Sequence, residues 1–363
     1  MVDFDLLLVG FGNVARQFAR LLLDRSVRLR GDFGISWRVA GIATRRHGTA
    51  FNAHGIDLVH ALALADRGMP LGSLSQPDGG RTLAADATGL DLIRHATGES
   101  RARRLQQLVV IETTLLDIER GQPAVDHVMA ALRGGAHVVS ANKGPIAFAY
   151  RELSAVASVA RRRFLFEGAV MDGIPVFNLV RHTLPVVDIL GFRGVVNATT
   201  NYILTAMESG RRFEQALGEM QAAGIAEADP SYDVDGWDAA AKTAALMNVL
   251  MRASVTPQTI ARTGIGAVTL EHVQDAMRRG KRIRLVATAE RVGGVPVGRV
   301  APIEVEAGDI MAGLTGLQNV LVLNTDMLGE IGIHQLDGGL NQTAYALLSD
   351  LVEIARSVNQ SSV

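Results

Sequence analysis

The chain has 363 residues, of which 48% are hydrophobic and 20% charged, with a net charge of −1 and no cysteine. That length and composition fit a soluble globular protein of two domains. The charge balance gives no reason to expect a nucleic-acid or acidic-membrane partner. Without cysteine, disulfides and thiolate-based nucleophiles or metal sites are excluded, which suits a reducing compartment.

The N-terminus opens on a strand-like run, Leu6–Val9, with no basic segment or cleavage site, so no signal peptide is expected. No apolar stretch reaches membrane-spanning length, and a cytoplasmic location follows as the expectation. Directly after that strand, Gly10-Phe11-Gly12-Asn13-Val14-Ala15 fits the dinucleotide-binding turn. Gly10 permits the tight turn, Gly12 lets backbone approach a pyrophosphate, and Ala15 is small enough for helix–strand packing. The amide groups of Asn13 and Val14 would then face the phosphates.

A helix is predicted over Val14–Asp24, an inserted loop over Arg25–Trp37, and a strand over Arg38–Ala43. Where a carboxylate would bind a ribose hydroxyl at the end of that second strand, Thr44-Arg45-Arg46 stands instead. Arginines there would pair with a 2′-phosphate, favouring NADP over NAD. Further strands are predicted at Val109–Thr113 and His137–Ser140, and helices at Val125–Arg133 and Tyr150–Arg161. This alternation indicates βαβ units and a parallel sheet. Thr113, at a strand end, is a candidate to touch the cofactor. Lys143, between a strand and Gly144-Pro145, sits where α/β sheets bind ligands.

From Phe164–Phe166 onward the pattern becomes α+β, with strands at Ile189–Val196, Leu285–Val292 and Val320–Thr325 between longer helices. Basic clusters at Arg101/Arg103/Arg104, Arg161–Arg163 and Arg278/Arg279/Lys281/Arg282/Arg284 read as solvated helix faces. The last segment, Gly338-Gly339 then Thr343–Val358, reads as a glycine turn and a helix that returns to the first domain. The resulting fold class is α/β: a Rossmann-type domain over 1–147, an α+β domain over 148–336, and a returning segment over 337–363.

The most informative stretch is Glu227-Ala-Asp-Pro-Ser-Tyr-Asp233-Val-Asp-Gly-Trp-Asp238-Ala-Ala-Ala-Lys242. Its alanines favour a helix, and a spacing of four puts Asp238 and Lys242 on one face. A cation held among acids on a rigid element can donate a proton or stabilise an oxyanion. The same spacing also describes a surface ion pair.

Four further motifs precede it in order: Gly10-x-Gly12-x-x-Ala15; Ser140-Ala141-Asn142-Lys143-Gly144-Pro145; Phe166-Glu167 with Gly173-Ile174-Pro175-Val176; and Asn197-Ala198-Thr199-Thr200-Asn201. With them the chain resembles the homoserine dehydrogenase family over nearly its full length. The resemblance implies NAD(P)-dependent interconversion of L-homoserine and L-aspartate 4-semialdehyde in threonine and methionine biosynthesis, by a homodimer without a kinase or regulatory domain. It implies Lys242 as the proton donor, oriented by Asp238, with Lys143 as a second cation near nicotinamide and substrate. It further implies Glu227 and Asp233 at the substrate, and Gly339 near the cofactor. A monovalent-cation site (sodium or potassium) is implied at Glu167, Val170, Asp172 and Ile174. Scattered histidines give no transition-metal pattern.

Two departures stand out. The family has glycine where this chain has Ala198, and small residues where it has Met171-Asp172. A glycine at the first position would mean either φ > 0 or close substrate approach. The alternatives are a related dehydrogenase for another small amino-acid semialdehyde, or a non-catalytic dinucleotide sensor.

Overall fold

The computed structural model describes residues 1–76, 83–84, 86–98, 107–222 and 229–360. The chain divides into two units, one inserted into the sequence of the other. The first comprises Met1–Pro145, Arg151–Pro175 and Gly339–Val363; the second comprises Ile146–Tyr150 and Val176–Gly338.

The first unit begins with β1 (Val2–Val9), α1 (Asn13–Phe33), β2 (Ile35–Thr44) and β3 (Gly48–Phe51). It continues through α2 (Leu58–Asp66), α3 (Gly89–Thr97), β4 (Gln107–Glu112), α4 (Ala124–Arg133), β5 (His137–Ser140), α5 (Gly144–Ala160) and β6 (Phe164–Leu165). The sheet order is β3-β2-β1-β4-β5-β6. All neighbours are parallel except the β2–β3 hairpin. This is a doubly wound, Rossmann-type sheet whose order reverses between β1 and β4. Leu6, Leu7, Leu8 and Val9 are all buried, as expected of a parallel strand covered on both faces.

Two expectations are corrected here. Residues 25–37 are not an inserted loop: α1 runs to Phe33, Gly34 ends it in the left-handed region, and β2 starts at Ile35. Arg25, Arg28 and Arg30 lie exposed, while Leu29 is buried and Phe33 packs against the core in line with Phe18 and Leu22. The polar run is a helix face, and the apolar stripe beneath it carries the helix on. Phe164–Leu165, read as the start of the α+β part, pairs parallel with β5 in the first sheet.

The second unit contains α6 (Val176–Thr183), β7 (Ile189–Val195), α7 (Ala198–Glu208), α8 (Phe213–Ala222), α9 (Ser231–Val234) and α10 (Trp237–Leu250). Then come β8 (Ala261–Arg262), α11 (Leu270–Arg278), β9 (Lys281–Val292), β10 (Val295–Glu306), β11 (Asn319–Thr325) and β12 (Gly329–Gln335). Its sheet runs β12-β11-β7-β9-β10-β8, antiparallel apart from β8 beside β10. Val195, Val286, Val305, Val320, Val322 and Leu314 form a core cluster in this unit. α10 is buried nearly all round, from Ala239 to Leu250.

The basic cluster at 278–284 is not one solvated face. Arg278 and Arg279 are exposed on and just after α11, but Arg284 in β9 is completely buried. Its guanidinium pairs with Glu208 at 2.5 Å and donates to the carbonyls of Met311, Ala312 and Leu314. A buried guanidinium persists where its donors are satisfied in this way. Arg101, Arg103 and Arg104 lie outside the described residues.

The last described element is α12 (Leu340–Gln360), which packs on α1 in the first unit. Ala344, Leu347, Leu351 and Ile354 are buried in the same core as Phe18 and Leu22. Among the described residues, no helix is long and apolar enough to cross a membrane.

Candidate active site

In the first unit, the turn after β1 is fixed by its closeness to the end of β4. Gly10 has φ +90°. A Cβ there would lie 2.7 Å from the Thr113 carbonyl carbon. Only glycine meets both conditions without strain. Thr113 donates its backbone N–H to Val9 at 2.8 Å and its hydroxyl to the Gly10 carbonyl at 3.0 Å. That hydroxyl therefore holds the glycine turn in shape.

Gly12 is the N-cap of α1, with no side-chain cap and no acid in the first turn. The first N–H groups of a helix have no partner within it, and the helix dipole adds positive potential there. Asn13 and Val14 thus begin an uncapped helix terminus, and fully buried Ala15 packs behind them. The Asn13 side chain accepts from Arg16 at 2.8 Å.

Arg45 and Arg46 are exposed in the tight turn between β2 and β3. Thr44 stabilises that turn, accepting from the His47 N–H at 2.7 Å and donating to the Gly48 carbonyl at 3.2 Å. The two guanidiniums project from the carboxyl end of β2, where the sequence placed them.

At the ends of β4 and β5 a buried network appears. Glu112, fully buried, accepts the N–H of Thr114 at 3.2 Å and also the Thr114 hydroxyl, and lies 3.4 Å from His127 Nδ1. Asn142 donates to the Thr114 carbonyl at 2.9 Å and accepts the Gly144 N–H at 2.8 Å. Lys143, half-buried, is the N-cap residue of α5 between those anchors.

The segment proposed from sequence to bind a cation is a strained turn. Glu167 is buried, and its N–H donates to Asp350 of α12 at 2.9 Å. Met171, Asp172 and Gly173 have φ of +51°, +49° and +82° in succession. Ile174 N–H closes the turn on the Met171 carbonyl at 3.0 Å, and Gly173 N–H reaches the Val170 carbonyl at 3.3 Å. Two side-chain-bearing residues held left-handed indicate a turn whose shape is imposed by its surroundings. Gly339 precedes α12, and its carbonyl accepts the Thr343 N–H at 3.4 Å.

In the second unit, Asp238 and Lys242 lie one turn apart on α10. Lys242 Nζ is 2.8 Å from Asp238 Oδ2, and the two side chains are only 15% and 16% exposed. Nζ also donates to the Val196 carbonyl at 2.7 Å. The bland reading of this spacing as a surface ion pair fails on burial. Asp233, on the one-turn helix α9, joins them through Asn197, whose amide donates to Asp233 Oδ1 at 2.7 Å and to Asp238 Oδ2 at 2.9 Å.

Burial and the neighbouring Asp238 carboxylate push the Asp233 carboxyl above its ordinary range. The Asn197 hydrogen bond, the Lys242 charge and the Thr199 hydroxyl oppose that rise. Glu227 lies outside the described residues.

Ala198 is the first residue of α7 and is absent from the positive-φ positions, so its methyl strains no backbone. Of the two reasons for a glycine here, a positive φ does not apply to this chain. Reading the sequence missed the parts of Asn197 and Glu112. Asn197 had a usable signal, since asparagine three residues before a threonine at a helix start is an N-cap pattern. Glu112 looked like one more residue in an apolar strand. Among the described residues, no group of three or more His, Cys, Asp or Glu could hold a metal ion.

The homoserine dehydrogenase family model matches residues 175–352. The chain is 33% identical over 361 residues to the NAD(+)-dependent homoserine dehydrogenase of Pseudomonas canavaninivorans, covering 99% of this chain and 98% of that one. Its fold matches the crystal structure of a putative homoserine dehydrogenase from Archaeoglobus fulgidus with a TM-score of 0.81 at 30% identity, covering 98% and 99% of the two chains. A hyperthermophilic archaeal homoserine dehydrogenase in complex with NADPH gives 0.78 at 27% identity, covering 98% of each. With a near-full-length match at this identity, the chain belongs to the homoserine dehydrogenase family.

Proposed function

We propose that this chain interconverts L-homoserine and L-aspartate 4-semialdehyde with NADP, within threonine and methionine biosynthesis. The observation that carries the reading is the sheltered Lys242–Asp238 pair, whose ammonium is fixed by a carboxylate and a main-chain carbonyl. A solvent-exposed pair would have no such anchoring.

In oxidation, the neutral Lys242 amine takes the proton of the substrate hydroxyl as the carbinol carbon gives up its hydride. The bound dinucleotide supplies the hydride acceptor. In reduction, Lys242 returns the proton to the carbonyl oxygen, and Lys143 adds a second positive charge toward the forming alkoxide. Asp238 orients the amine. Glu227 and Asp233 offer carboxylates to the substrate ammonium.

Gly10, Gly12, Asn13, Val14, Thr113 and Gly339 form the cofactor site in this reading. The positive-φ turn at Gly10 and the uncapped start of α1 fit a pyrophosphate. Arg45 and Arg46 meet the 2′-phosphate. Glu167 with Val170, Asp172 and Ile174 holds sodium or potassium through oxygen ligands. In this reading the protein works as a cytoplasmic homodimer.

The deciding assay gives purified protein L-homoserine with NADP or NAD at alkaline pH and follows the reduced cofactor. Turnover of another amino alcohol but not homoserine would sink the substrate assignment. A second reading, NAD as the preferred cofactor, is favoured by the name of the Pseudomonas canavaninivorans relative. The same assay separates the two by comparing kcat/KM for each cofactor.

A further inference from the structure

We propose that Asn197 is a positioning residue, whose single side-chain amide fixes Asp233 and Asp238 at a set separation and so holds Lys242 in place. The proposal rests on the reading of Lys242 and Asp238 as the acid–base pair.

A primary amide has two N–H donors in one plane, and here each has its own carboxylate, at 2.7 and 2.9 Å. The amide cannot turn freely. Its oxygen accepts the N–H of Thr200 at 2.8 Å and the Thr200 hydroxyl at 2.9 Å, capping α7. Asn197 is also buried, so water cannot replace these partners at little cost.

The neighbouring Val196 supplies the carbonyl that receives Lys242 Nζ. Two consecutive residues at the β7–α7 junction therefore touch all three charged side chains of the cluster. Asp233 and Asp238 repel one another, and an unrelieved pair of that kind tends to take up a proton. A neutral donor between them gives each a hydrogen bond without adding charge. Lysine or arginine in this place would cancel the negative charge offered to a substrate ammonium. Aspartate or glutamate would add to the repulsion. Asparagine has the right number of donors, no charge, and an oxygen left over for the helix.

Asp233 is faced by Asp238 and Lys242 from α10 and by Asn197 and Thr199 from the head of α7. Its protonation responds to the amide, which opposes the rise that burial and Asp238 cause. Asp238 and the Val196 carbonyl hold the Lys242 amine.

The testing variant is Asn197→Asp, which keeps a capping oxygen of similar size but removes both donors. Asn197→Asp also places a third carboxylate beside Asp233 and Asp238, so it is read beside the uncharged Asn197→Ser, which keeps wild-type kcat, KM and pH profile if Asn197 only caps α7. If the amide positions the cluster, kcat for L-homoserine oxidation falls about 100-fold in Asn197→Asp and also falls in Asn197→Ser, where no charge is added. In Asn197→Asp the rising limb of the kcat–pH profile moves to higher pH, because an added carboxylate favours the charged lysine.

Asn197→Ser provides a second readout that needs no turnover. It keeps the cap and adds no charge, and the Asp233 carboxyl carbon is followed by NMR titration in it and in wild type, with Asp233→Asn for assignment. Loss of an amide donor should raise the Asp233 titration by about one unit. An unchanged titration, or wild-type kinetics in either variant, overturns the proposal. Wild-type protein inactive on L-homoserine but with a shifted Asp233 in Asn197→Ser would instead remove the assigned substrate and leave Asn197 in its role.

Discussion

The Thr113 hydroxyl donates to the Gly10 carbonyl at 3.0 Å, and no side chain fits between the two residues. The carboxyl ends of β1 and β4 are clamped together where the sheet order reverses. Gly10→Ala would place a methyl against the Thr113 carbonyl at a φ that alanine avoids. The expected outcome is at least a tenfold rise in NADP Kd, with a stability loss of about 1–3 kcal/mol. Calorimetric titration and urea unfolding check both. A glycine turn with no cofactor role would lose stability alone.

Removing the amine from Lys242 should stop proton transfer without emptying the cofactor site, which the proposed function assigns to other residues. Lys242→Met, which keeps most of the stem, is expected to lower kcat by about 10³-fold or more. NADP binding, measured by fluorescence, should stay within about threefold of wild type. A variant that keeps more than a tenth of wild-type kcat would take Lys242 out of the chemistry.

Arg45 stands exposed on a turn whose geometry Thr44 maintains, so its truncation should leave the fold intact. Arg45→Ala is expected to raise KM for NADP about tenfold and KM for NAD less than twofold. Equal changes would show that this guanidinium does not read the 2′-phosphate.

Gly173 meets α12 closely at a positive φ. A Cβ would lie 2.3 Å from Ala346 Cβ and 2.9 Å from the Gln342 carbonyl oxygen. Gly173→Ala should destabilise the protein by about 2–4 kcal/mol through overpacking and backbone strain. Adding Ala346→Gly relieves the clash with that methyl but not the strain, so the double variant should recover about half. Recovery to wild type would show that φ +82° costs nothing here.

His137 provides a pH-dependent term. Burial, with Arg162 and Arg163 nearby, lowers its pKa to about 4 from the ordinary 6.5. Its Nδ1 accepts the Arg163 N–H at 3.0 Å, which a proton on that nitrogen would break. The folded-state pKa lies below the unfolded one, so the unfolded chain binds more protons between them. Stability from this group is complete above about pH 6.5 and is lost as pH falls toward 4, by about 3 kcal/mol in all. His137→Gln should flatten that part of the denaturation–pH curve.

Much of the first unit was legible because its chemistry is local. The strand, Gly10, Gly12 and the helix start lie within a dozen residues, and each has a fixed backbone reason. The long α1 was misjudged because Arg25, Arg28 and Arg30 hide a stripe that continues through Leu29 and Phe33. β6 was placed with the second unit because two residues carry no period at all. In the second unit, spacing put Asp238 beside Lys242, but only the fold brings Asn197 to both acids from 36 and 41 residues away. Arg284 shows the same limit in reverse. The first arginines of its cluster, Arg278 and Arg279, are exposed, and its satisfying carbonyls come from a loop about 30 residues on.

α12 also fixes the order in which the protein can be completed during synthesis. The core that holds Phe18 and Leu22 needs Leu347, Leu351 and Ile354, which leave the ribosome after the whole second unit. Until then the nascent first unit presents an open apolar groove, the kind of surface that recruits chaperones or aggregates. The nucleotide-binding unit waits for a segment roughly 320 residues downstream of α1. Docking of the last helix is therefore expected as a late step, and premature termination before Leu340 should yield an insoluble product and not a shorter enzyme.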